Sequence, residues 1–199
     1  MSVTFPSPPS DGLATLERGL RAIRTAQQLD PRGGAAALVV SPNSSALRPH
    51  PVYELGLDDL AAGKGIEAAR PVAWRYLLVS NGQARQAAEV IPDPRGGGSQ
   101  FGALTTGFVA GEEEALRVAD QLPEIKQGTY EIRALRAPAL YVMALWLKDV
   151  DGDDDRFIVM PPAFPPVQSL YAYPTSDLLA VLHQVAQQKA PMERNVTPS

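Results

Sequence analysis

Asn81-Gly82 stands between two runs of strand-forming residues, Val72 to Ser80 and Gln83 to Ile91, and this dipeptide fixes the local topology. Both central residues of a type I′ turn need positive φ, which Asn and Gly adopt at least cost, so the two runs are read as an antiparallel hairpin. On the first run Trp74, Tyr76 and Leu78 share one face and Arg75, Leu77 and Val79 the other. Apolar side chains on both faces predict an interior strand rather than an edge.

The rest of the chain is placed around that hairpin. Leu13, Leu16, Leu20 and Ile23 recur at helical spacing, with Glu17, Arg18, Arg21 and Arg24 opposite, so an amphipathic helix is expected there. Ser10 or Asp11 is its expected cap, and Asp30-Pro31 followed by Gly33-Gly34 its end. Ala36 to Val40 and Val52 to Leu55 read as short strands, and Leu57 to Ala62 as a helical turn closed by Gly63 and Gly65. Phe101 to Val109 is expected to be a strand, followed by a helix opened by Gly111. Glu112, Glu113 and Glu114 in its first turn suit the positive end of the helix dipole. Thr129 to Arg136 alternates cleanly, Ala139 to Lys148 reads as a mostly buried strand, and Arg156 to Met160 returns after an acidic turn. The aromatic residues on these strands, Trp74, Tyr76, Tyr141 and Trp146, are expected in the core. Thr175 or Ser176 then caps a last helix with Leu178, Leu179, Leu182, Val185 and Ala186 inside.

This order defines an α+β fold: a mainly antiparallel sheet of five to seven strands, with about three helices on one face. The halves run alike, Arg70, Pro71 and Trp74 matching Arg136, Pro138 and Tyr141, each before a hairpin, a proline-bearing loop and a helix. Two hairpin-plus-helix halves produced by duplication remain open beside coincidence. Residues 10–189 are expected to form one domain, with flexible tails over 1–9 and 190–199.

Composition excludes several classes of function. The chain has 199 residues and no cysteine, which removes disulfides, thiolate metal sites and cysteine nucleophiles. The net charge of −4 and the lack of any dense Lys/Arg run argue against nucleic acid as a partner. No apolar stretch approaches the length that crosses a bilayer, since the longest is broken by Pro138. Without cysteine or a recognisable leader, a cytoplasmic location is expected. The Arg, Ala, Gly and Pro usage points to a bacterial source.

Candidate chemistry is sparse. Asp149, Asp151 and Asp153 alternate as hard oxygen ligands do in a calcium loop, making them the weak metal candidates. A glycine is wanted at the sixth loop position, which is Asp154, and a bidentate Glu at the twelfth, which is Met160. A solvated hairpin turn is therefore the expectation, and no cofactor is expected. His50, in Arg-Pro-His-Pro, and His183, in the last helix, lack a nucleophile elbow to serve. Gly96-Gly97-Gly98-Ser99 lacks the Lys-Ser/Thr of a phosphate loop. That leaves Phe164, Tyr171 and Tyr173, aromatic residues in the proline-rich connection Pro161 to Pro174, as a surface for a partner, either another protein or a second copy. A non-enzymatic binding or accessory protein is expected. The competing reading is a small enzyme whose acid and base come from distant segments.

Overall fold

The structure, a computed structural model, describes residues 2–30 and 44–194. The strand expected at Ala36 to Val40 and the glycine pair expected to end the first helix lie outside these residues. In chain order the elements are Ser2–Thr4 (β1), Gly12–Leu29 (α1), Ser45–Glu54 (β2), Leu57–Ala61 (α2), Arg70–Ser80 (β3), Gln83–Pro92 (β4) and Ser99–Thr105 (β5). Then follow Val109–Ala119 (α3), Pro123–Gln127 (α4), Thr129–Ala137 (β6), Val142–Asp149 (β7), Arg156–Val159 (β8), Ala172–Pro174 (β9) and Thr175–Arg194 (α5).

The fold is α+β with mixed, mainly antiparallel strand pairing. The described residues carry nine strands and five α-helices, against the expected five to seven and three. The excess has a simple origin. β1 and β9 have three residues each, and α2 and α4 five each, too short for a period to show in sequence. β1 falls in the stretch read as an N-terminal tail, and α5 continues into the stretch read as a C-terminal one.

The chain divides into two compact units. One comprises Pro6–Pro51 and Val72–Ala110. Within it β3 and β4 form the expected hairpin, with Trp74 opposite Val90 and Tyr76 opposite Ala88. Asn81 has φ 53° and Gly82 φ 76°, as a type I′ turn requires. β5 adds antiparallel to β4. Helix α1 buries Leu16 and Leu20 against Tyr76, Leu78, Ala88 and Val90 on one face, while Leu77, Ala87 and Val109 fill a second cluster. Arg75 is fully buried on that second face, where it meets Glu89 at 3.3 Å and donates to the Gly107 carbonyl at 3.0 Å. β5 ends at Thr105, not at Val109, and α3 begins two residues before Gly111.

The other unit comprises Met1–Phe5, Val52–Pro71 and Gly111–Ser199. β6 is central here, with β7 antiparallel on one side and β1 and the end of β2 parallel on the other. β8 and β9 continue the antiparallel run from β7. The core gathers Leu135, Val142, Ala144, Trp146, Phe157 and Val159 from one sheet face, under Leu178, Leu182 and Ala186 of α5 and Leu60 of α2. No helix among the described residues is long and apolar enough to cross a membrane.

Asp11 does not cap α1 with its side chain. Its carboxylate instead accepts from the Ser99 N–H at 2.6 Å and the Ser99 hydroxyl at 2.8 Å, pinning the start of β5 to the start of the helix. These two hydrogen bonds, with a contribution from the Arg18 cation, hold the Asp11 carboxyl below its ordinary value of 3.8 despite some desolvation. A depressed folded-state pKa means stability that is present above the unfolded value and lost as pH falls through the folded one. Asp11→Asn is therefore expected to be less stable than the parent in urea titrations at neutral pH. The difference should shrink as pH drops below about 4, where the parent carboxyl also becomes neutral.

Candidate functional site

The proline-rich connection between β8 and β9 is the surface the sequence singles out. Three backbone hydrogen bonds hold it: Met160 N–H to the Met143 carbonyl at 2.8 Å, Leu170 N–H to the Val159 carbonyl at 2.8 Å, and Val167 N–H to the Phe164 carbonyl at 3.0 Å. Val167 is buried in the core and acts as the anchor. The Pro161-Pro162 and Pro165-Pro166 bonds are cis. On this tied backbone Phe164 stands 61% exposed and Tyr171 51% exposed, flanked by exposed Pro162, Pro165 and Pro166.

Tyr173 plays a different part. It is buried in β9 opposite Phe157, and its hydroxyl accepts the Gln168 N–H at 2.9 Å. The Tyr171 ring meets it edge to face at 4.7 Å between centroids. Of the three aromatic candidates, two therefore face solvent, and the third orients one of them from below. No charged residue occurs from Phe157 to Ser176, so the surface offers shape and apolar area rather than ion pairs.

Gly111 of α3 fixes the base of this connection. A Cβ at that position would lie 2.7 Å from the Pro161 carbonyl oxygen and 3.1 Å from its nitrogen. Gly→Ala within a helix ordinarily stabilises by up to about 1 kcal/mol, whereas crowding backbone atoms costs about 1–3 kcal/mol. Gly111→Ala is accordingly expected to lower the melting temperature. A rise would show that helix and connection do not meet this closely.

The acidic turn is built to close a hairpin. Asp149 accepts the N–H groups of Asp151 at 3.1 Å and Asp154 at 3.2 Å, so its carboxylate serves the turn itself. Asp151 and Asp153 are exposed. The buried carboxylate is Asp155, which accepts from the Trp146 indole N–H at 2.8 Å, the Asp149 N–H at 2.9 Å and the Lys148 ammonium at 3.0 Å. Nothing in the spacing of the aspartates distinguishes it from its exposed neighbours. Its distinguishing feature is its place just before β8, two residues ahead of Phe157, the cross-strand partner of Trp146, and only the register reveals this.

His50 lies inside β2, fully buried, with Nδ1 2.8 Å from the Arg48 carbonyl. His183 donates from Nδ1 to the Leu60 carbonyl at 2.7 Å, joining α5 to the end of α2. Gly96 and Gly98 have positive φ in the tight connection between β4 and β5, a turn geometry that glycine supplies. Tyr141, expected in the core, is 70% exposed in a left-handed conformation (φ 53°), with the Lys189 ammonium 5.2 Å from its ring centroid. Pro138 turns the chain into a 3-10 turn before β7, and this rotates Tyr141 outward.

No family model matches the chain, and neither a curated protein nor a solved structure matches it. The class defined by fold and site is thus an α+β protein with a proline- and aromatic-lined connection.

Proposed function

We propose that this chain is a non-enzymatic binding or accessory protein that docks another protein through the connection from Pro161 to Tyr171. One observation carries the reading: two large aromatic side chains are held exposed on an uncharged backbone already tied to the core. A connection ordered beforehand loses little conformational entropy when a partner covers it, and aromatic anchors dominate the energetics of such contacts. Location in the cytoplasm belongs to the same proposal, with the absence of cysteine in its support.

The test compares the parent with a Phe164→Ala, Tyr171→Ala double variant, each purified from the source organism and weighed by native mass spectrometry. The parent should carry a stoichiometric protein partner, and the variant should lose about 30-fold or more in affinity for it, the measure of a single hot-spot residue. The stability of the variant should change little, since exposed substitutions usually stay within about 0.5 kcal/mol. A parent recovered alone, or a variant that keeps its partner undiminished, sinks the proposal.

A further inference from the structure

On the β6–β7 ladder, Arg133 faces Trp146 directly across the strands. Its guanidinium carbon sits 5.2 Å from the centroid of the Trp146 ring and 5.2 Å from that of Tyr53, while the two rings meet edge to face at 5.0 Å. Trp146 is itself fixed, stacked on Phe157 at 5.4 Å and bonded through its indole N–H to buried Asp155. Arg133 Nε donates to Glu131 at 2.8 Å. Its side chain remains 23% exposed. Nε is the only nitrogen of this guanidinium with a hydrogen-bond partner among the described residues, so the two terminal nitrogens keep their donors.

We propose that the Tyr53–Arg133–Trp146 cluster is an oxyanion-binding site that takes a carboxylate end-on between Nη1 and Nη2 of Arg133. A guanidinium presents parallel donors that match two carboxylate oxygens, and stacking on aromatic rings holds that fork in place before the ligand arrives. The charge balance selects the kind of oxyanion. Two cations, Arg133 and Lys148, meet two carboxylates, Glu131 and Asp155, so the cluster sums to zero. A singly charged carboxylate adds one negative charge to this balance. A phosphate, with about −1.5 to −2, is attracted and repelled in the same proportion by this neutral cluster, but losing its hydration costs more than for a singly charged carboxylate, and balanced charges do not offset that difference. The ligand is therefore a carboxylate on a small molecule or a peptide, and the site is independent of the connection from Pro161 to Tyr171.

The experiment titrates the ¹⁵N-labelled full chain with sodium acetate, with sodium chloride and inorganic phosphate at matched ionic strength, and follows the Trp146 indole N–H resonance. Acetate should produce a saturable shift with a midpoint on the order of tens of millimolar, as suits one bidentate contact in water. Chloride should produce none, and phosphate should bind more weakly than acetate. Arg133→Lys keeps the charge but loses the fork, and should weaken acetate about fivefold or more while the rest of the spectrum stays in place. An unsaturating acetate shift equal to that of chloride, tighter binding of phosphate, or an unchanged acetate midpoint in Arg133→Lys overturns the proposal.

Discussion

β7 is buried along both faces from Val142 to Leu147, and the unit that contains it is arranged to satisfy that strand. A strand without a solvent side must be paired along both edges and covered above and below, because unpaired backbone groups in an apolar setting cost too much. β6 and β8 supply the edges. On one face Val142, Ala144 and Trp146 meet α5 and α2, and the inner positions of α5, Leu178, Leu182 and Ala186, are fully buried there. A buried aliphatic side chain stabilises by roughly 1.5–3 kcal/mol relative to exposure, so this one face outweighs any single polar contact in the unit.

The polar groups follow from the same constraint. Trp146 brings an indole N–H into the interior, and that donor needs an acceptor. Asp155 provides it, but a buried carboxylate requires several donors of its own, which Lys148 and the Asp149 N–H complete. The acidic turn is thus coupled to the core through one aspartate, while its neighbours close the turn at the surface. The paired Arg75 and Glu89 solve the equivalent problem in the other unit, where Gly107 supplies a further acceptor.

The proline-aromatic connection leaves β8 where the strand ends, and its geometry depends on what lies beneath. Val167 is sunk into the core, Tyr173 is held in β9, and Phe164 and Tyr171 are left outside. The four residues are similar in hydrophobic character, and spacing alone does not separate them. Their division into anchors and exposed side chains comes from hydrogen bonds to Val159, Met143 and the Tyr173 hydroxyl.

Local chemistry in the sequence settled the hairpin at Asn81-Gly82, the helices α1 and α5, and the strands β6 and β7, each to within a few residues. Those features are short-range: a turn that needs positive φ, an apolar period, an alternation. Only tertiary structure decided the three-residue strand β1, because its parallel partner β6 lies more than a hundred residues away. The same holds for Asp11, whose local role as a cap yields to two hydrogen bonds with Ser99. It holds for Tyr141, rotated out of the core by the turn at Pro138, and for Arg133, which meets Tyr53 and Trp146 only when three strands come into register. Sequence fixes what depends on neighbours along the chain. Burial, ion pairing and exposure depend on neighbours across it, and those are defined only once the strands have paired.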